Sequence, residues 1–169
     1  YFMPVNFYTF AARVMHYGRY GSDSSDPRIF PVYIGYPWLV RGYDPGSFSA
    51  DECVGDNTSS CAAIDRLSGS RMLVANFEFR FPLLRPFGVT GNMYGPVPVE
   101  VAFFADGGTA WYERQKPEIF GGSRSGVGSA GVALRVNLFG FAVGEFDFAR
   151  PLQRPGQGWV FGFNLMPGW

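Results

Sequence analysis

Between Leu73 and Pro82 the side chains alternate, with Leu73, Ala75, Phe77, Phe79 and Phe81 on one face and Asn76, Glu78 and Arg80 on the other. A period of two marks an extended strand, because successive side chains point to opposite sides of the backbone. The pattern returns four times. Val99, Val101, Phe103 and Ala105 oppose Glu100, Ala102, Phe104 and Asp106; Val132, Leu134, Val136 and Leu138 oppose Ala133, Arg135 and Asn137. Ala142, Gly144, Phe146 and Phe148 face away from Glu145 and Asp147, and Trp159, Phe161, Phe163 and Leu165 face away from Val160, Gly162 and Asn164. A rougher alternation sets Tyr8, Phe10, Ala12 and Val14 against Ala11, Arg13, Met15 and Tyr17. The chain is therefore expected to be all-β, with strands over Phe7–Tyr17, Leu73–Leu83, Val99–Trp111, Ala130–Leu138, Ala142–Ala149 and Trp159–Leu165.

Two architectures share this period. A soluble antiparallel sheet turns its aromatic face to a core, and a transmembrane β-barrel turns it to lipid. Composition alone speaks for all-β and no more, since a balance of 18% aromatics, only 17% charged residues and Lys116 as the only lysine also fits a soluble sandwich; repetition of the pattern over successive segments is what favours the barrel. Lys+Arg and Asp+Glu balance at 14 each, so no basic field speaks for a nucleic-acid partner. A membrane helix needs about 20 apolar residues. The longest candidate, Pro86 to Val99, is interrupted by Gly88, Gly91, Gly95, Pro96 and Pro98. A closed barrel is the other way to satisfy every backbone group in lipid.

The connections alternate in length, as a barrel requires: tight around Asn137-Leu138-Phe139-Gly140, long after Tyr17 and after Trp111. The connection from Leu84 to Pro98 departs from this rule, being long where a short periplasmic turn belongs. Trp111, Tyr112, Trp159 and Trp169 fall near strand ends, where interfacial rings settle. Six strands would leave edges open to lipid at high cost, so further strands are expected upstream in the same polypeptide. Tyr1-Phe2-Met3-Pro4 has neither the basic region nor the apolar run of a signal peptide.

From Gly18 to Ser70 no period is sustained. Such a loop is too long for a compact soluble domain but suits an extracellular loop folded back into a barrel. It carries Val40-Arg41-Gly42-Tyr43. A guanidinium in a partly desolvated lumen wants planar acceptors, and Glu78 and Asp106 are acids on inward faces. Arg41 is expected to lock the loop to the wall through them, with Gly42 and Tyr43 beside it. Arg80, Glu100, Arg135, Glu145 and Asp147 are expected to line the lumen. Cys53 and Cys61, eight apart in a polar loop, lack the neighbours a metal needs, and the single histidine, His16, is remote. A short disulfide in an oxidising compartment is preferred over two free thiols.

Catalysis has little to draw on. A serine triad would run through His16, which groups with an outward face. Glu145 and Asp147 have the spacing of a carboxylate pair, but any lumen face gives that spacing. No glycine-rich phosphate loop opens a helix. No metal, cofactor or enzymatic activity is expected.

In order and spacing these segments resemble the C-terminal part of the Omp85 superfamily, the bacterial surface antigen (D15) domain of outer-membrane assembly and secretion proteins. The resemblance spans nearly the whole chain. Val40-Arg41-Gly42-Tyr43 matches the family's Val/Leu-Arg-Gly-Phe/Tyr motif at the tip of the sixth extracellular loop. Asn76-Phe77-Glu78-Phe79-Arg80-Phe81-Pro82-Leu83 resembles the strand whose glutamate faces that arginine, and Phe103 to Trp111 the next, with its inward aspartate. Gly131 to Val136, Phe139-Gly140 and Glu145 to Leu152 resemble the penultimate hairpin.

The resemblance implies the last six of sixteen strands of an outer-membrane barrel, with residues 18–70 as the inward-folded loop. It implies a C-terminal insertion signal through Phe161, Phe163, Leu165 and Trp169, although Pro167 and Gly168 make that end less regular. The POTRA repeats that usually precede such barrels do not occur within these residues, which leaves the subfamily open. The implied function is insertion or translocation of polypeptides at the outer membrane. A non-catalytic anchor or structural subunit, and a barrel fused to an enzyme domain, are the alternatives. Implied partners are outer-membrane lipid and lipopolysaccharide, the upstream strands, client polypeptides and accessory periplasmic proteins.

Overall fold

Alternation along the chain becomes a single antiparallel sheet in which chain neighbours are neighbours in space. The computed structural model describes residues 1–53, 61–83, 99–117, 125–138 and 141–167. Within them run β1 (Phe2–Val5), β2 (Tyr8–Gly18), β3 (Val32–Tyr33), β4 (Ser68–Gly69), β5 (Arg71–Pro82), β6 (Val99–Trp111), β7 (Val127–Leu138), β8 (Ala142–Pro151) and β9 (Val160–Pro167). The main sheet has the order β1-β2-β5-β6-β7-β8-β9, and β3 pairs with β4 in a small ladder of its own. The sheet is open, with β1 and β9 at its edges.

Cross-strand partners share a face, so the register sorts every side chain. One row on the outer face reads Phe10, Phe79, Phe103, Val132, Phe148, Phe161 across six strands. Phe103, Phe148 and Phe161 are each at least half exposed, at 50%, 52% and 58%. A contiguous apolar surface of this kind is not one a water-soluble monomer presents; it is a face built for hydrocarbon. The matching inner row reads Ala11, Glu78, Phe104, Gly131, Ala149, Val160. The next rows place Arg13, Asn76, Asp106 and Ser129 together, and Pro82, Glu100, Arg135, Glu145 and Asn164 together.

The two ends of the sheet differ. At one end β1 turns into β2 through Asn6-Phe7, a two-residue hairpin whose Asn6 has φ 59°, a left-handed conformation that asparagine tolerates better than most residues. β7 and β8 also join closely at this end. At the other lie the connection from β2 to β5, which includes β3 and β4, and those from β6 to β7 and from β8 to β9. The apolar core lies between the long connection and the inner wall: Ile34, Leu39, Val40, Tyr43 and Leu67 from the loop meet Met72, Val74, Ala110 and Val127 from β5, β6 and β7.

The structure adds to the expected strands. β1 is a seventh member of the sheet: its four residues are apolar on both faces and give no alternation to read. Pro4 is accommodated because β1 is an edge strand. β7 begins three residues before Ala130, since Gly128 and Ser129 pair in register although neither carries an apolar signal. Among its described residues the loop holds β3, β4, 3-10 turns at Pro45–Ser47 and Ala50–Cys53, and the helical turn α1 (Ala62–Asp65), all too short to show a period. Trp111 is 8% exposed and stacks on His16 with ring centroids 5.9 Å apart. The irregular connection over 84–98 and the end at Gly168-Trp169 lie outside the described residues.

The outer row can be tested by charge. Phe103→Arg is expected to lower stability in lipid vesicles by about 2–4 kcal/mol, the cost of a charge near the bilayer midplane. Denaturant titration measures it. An unchanged midpoint would mean that this face does not meet hydrocarbon.

Candidate functional site

The loop enters the wall through a turn at Tyr36–Val40, closed by Leu39 N–H and Val40 N–H donating to Tyr36 O at 2.8 and 3.1 Å. Its carbonyls are taken up by the strands. Asn76 Nδ2 donates to Leu39 O at 2.7 Å, and Arg13 donates to Trp38 O and to Asn76 Oδ1. The turn is thereby pinned across β2 and β5. Gly42 follows with φ +83°, and a Cβ there would come within 3.1 Å of Ala149 Cβ. Glycine supplies both the left-handed backbone and the close approach to β8.

Arg41 projects from this turn onto the inner wall and is 3% exposed. Its Nε donates to Asp106 Oδ2 at 2.7 Å, its Nη2 to Asp106 Oδ1 at 3.0 Å and to Glu78 Oε1 at 2.8 Å, and its Nη1 to Glu145 Oε1 at 3.2 Å. The Arg41 backbone N–H reaches Asp106 Oδ2 as well, at 3.3 Å. Behind the guanidinium lies the Phe104 ring, 3.6 Å from Cζ to the centroid. Carboxylates from β5, β6 and β8 thus converge on one cation, which sits flat on an aromatic face.

The charges around it balance. Arg135 on β7 pairs with both Glu78 (3.0 Å) and Glu145 (2.5 Å), and Arg80 pairs with Glu78 at 2.6 Å. Three guanidinium groups face three carboxylates, joined in one network. Removing one partner from such a group is costly because the others stay buried. Beside the network lies a cavity of about 490 Å³ lined in part by Arg13, Arg80, Glu100, Arg135 and Asn164.

Arg41 is therefore brought together with both Glu78 and Asp106, and also with Glu145, which the sequence suggested only as a lining residue. Glu100 lines the cavity and stands opposite Arg135 in register. Asp147 is 2% exposed and lies flat across β9, where a Cβ on Gly162 would fall 2.4 Å from Asp147 Oδ1. Tyr43 is fully buried, and its hydroxyl lies 2.9 Å from both Gly128 O and Gln153 Oε1, its one proton shared between the two acceptors. Cys53 and Cys61 are bridged, with Cα atoms 4.7 Å apart. Phe161, Phe163 and Leu165 of β9 point outward at 58%, 54% and 57% exposure, while Trp169 lies outside the described residues.

A second cluster sits nearer the loop end of the sheet, and the sequence reading missed it. Arg154, in the connection from β8 to β9, is 2% exposed. It donates from Nε to Glu52 Oε2 at 2.7 Å and from Nη2 to Glu52 Oε1 at 2.6 Å; further bonds reach Gly42 O, Ser47 O and Ser47 Oγ. An arginine between Pro151 and Pro155 has no periodic context to mark it. Phe104 could have been noticed, as a large aromatic among polar residues on an inward face. The bonds from Arg154 hold the Glu52 carboxyl well below its usual range, at about 2.

A depressed carboxylate pKa stabilises the fold above the unfolded value near 4.5 and loses that contribution as pH falls toward about 2. Proteolysis of the loop is accordingly expected to accelerate as pH is lowered through this window. In Glu52→Gln the part due to this carboxyl should be absent. Identical acid sensitivity of the two proteins would remove Glu52 from the account.

No curated protein and no solved structure matches the chain. A family model does: the Omp85 superfamily domain matches residues 3–168. An open antiparallel sheet with an apolar outer belt, and a Val-Arg-Gly-Tyr loop seated on its charged inner face, agrees with that match, and the chain belongs to the Omp85 superfamily.

Proposed function

We propose that this chain forms the C-terminal part, residues 1–169, of an outer-membrane barrel that assists insertion or translocation of polypeptides, with residues 18–70 as a loop locked in the lumen. The observation that carries the reading is the seat of Arg41 among Glu78, Asp106 and Glu145. Upstream strands of the same polypeptide complete the wall at the open edges, because unpaired backbone groups are not tolerated in lipid. The outer belt meets outer-membrane lipid and lipopolysaccharide. Client polypeptides and accessory periplasmic proteins are the remaining partners. Phe161, Phe163, Leu165 and Trp169 serve as the insertion signal.

In this reading the site positions and does not catalyse. His16 lies on the outward face of β2, with Nδ1 2.8 Å from Met72 O and Nε2 2.5 Å from Tyr20 Oη. Glu145 is spent on Arg41 and Arg135, which leaves it unsuited to acid–base work.

Arg41→Ala in the full-length protein separates the readings. It takes from the buried Asp106 the cation it pairs with and strips one partner each from Glu78 and Glu145, a loss of about 2–5 kcal/mol of local stability. Cleavage between residues 18 and 70 should speed up, and delivery of client polypeptides to or across the membrane should fall severalfold while the variant itself still inserts. A loosened loop with undiminished client delivery would favour the anchor or structural-subunit reading. Unchanged cleavage would remove the lock.

A further inference from the structure

The loop is held at two depths, and both holds reach the same hairpin. At the lower, Arg41 bonds Glu145 on β8. At the upper, Arg154 in the β8–β9 connection takes Gly42 O at 2.7 Å, Ser47 O at 2.7 Å, Ser47 Oγ at 2.9 Å and both Glu52 oxygens. Its five N–H donors are all used, and its guanidinium stacks on Phe48 at 4.0 Å. Every one of these partners lies in residues 42–52 of the loop. The neighbouring Gln153 adds to the grip, its Oε1 accepting from Tyr43 Oη at 2.9 Å and from Gly128 N–H at 2.6 Å. A solvated surface arginine contributes little and fixes nothing. This one is as enclosed as Arg41 and has no strand-borne carboxylate among its partners.

We propose that Arg154 is a positioning residue that makes loop residues 42–52 and the β8–β9 hairpin one mechanical unit, so that a shift of the hairpin is transmitted to the seat of Arg41. The joint acts through bonds that need several acceptors in a fixed arrangement, which an arginine fork provides and a lysine does not. It does not depend on which polypeptide the protein handles, and its test is independent of client delivery.

The test uses nitroxide labels on the full-length protein in detergent. Gly46→Cys and Gly156→Cys carry them, because an added Cβ at either position meets nothing within 4 Å. The native cysteines are bridged to each other. The native protein should give one narrow 46–156 distance distribution by pulsed electron paramagnetic resonance. In Arg154→Gln its width should at least double. Glu52→Gln, which removes only the charged acceptor, should broaden it to a lesser degree and stands in if Arg154→Gln does not fold. Arg41→Ala, which cuts the lower hold, should leave it narrow.

A control pair at Val132→Cys, on the outward face of β7, and Gly156→Cys leaves out loop residues 18–70 and should keep its native distribution in all three variants. An unchanged 46–156 distribution in both Arg154→Gln and Glu52→Gln would overturn the inference. So would broadening of that pair in Arg41→Ala, or of the control pair in Arg154→Gln.

Discussion

A guanidinium that is 3% exposed cannot keep its hydration shell, and the arrangement around Arg41 follows from replacing it. The acceptors that take over come from β5, β6 and β8, so they meet only if the register of four consecutive strands is kept. A slip of one residue in any pairing would turn a carboxylate to the lipid side and a phenylalanine to the lumen. The buried charge and the apolar belt therefore depend on the same alignment. A buried ion pair is weak evidence of net stability, because desolvation offsets much of its attraction. Its effect here is selective: it penalises every other seating of the loop.

Holding strength comes from elsewhere. Ile34, Leu39, Val40 and Leu67 are buried against Met72, Val74, Ala110 and Val127. Each such side chain removed from water contributes about 1.5–3 kcal/mol. Apolar contact keeps the loop on the wall, and the charged network decides where on the wall it sits. The expectation that a loop in a polar lumen needs a charged anchor was thus half of the account.

Much of this was legible in the residues. The faces of β5 to β9 follow from alternation, and the meeting of Arg41 with Glu78 and Asp106 follows from placing two acids on inward faces near the loop. Glu145 was less accessible, since β7 separates β8 from β6 and only the stagger of the sheet brings it within reach of Arg41. β1 was hidden because Phe2, Met3, Pro4 and Val5 are apolar on both sides. Arg154 and Glu52 were hidden for a different reason. Their pairing joins two irregular connections separated by 102 residues, where neither period nor composition carries information.

The apolar layer between loop and wall has an electrical consequence. Hydrated ions move through water, and along this part of the wall the space between Val40 and Val74 is filled by packed side chains with no room for a hydration shell. The charged network of Arg41, Arg80 and Arg135 lies next to this layer and borders the cavity. With the loop seated, it faces an insulating layer on the loop side of the sheet. The same residues that fasten the loop therefore keep water and hydrated ions out of the space between Val40 and Val74.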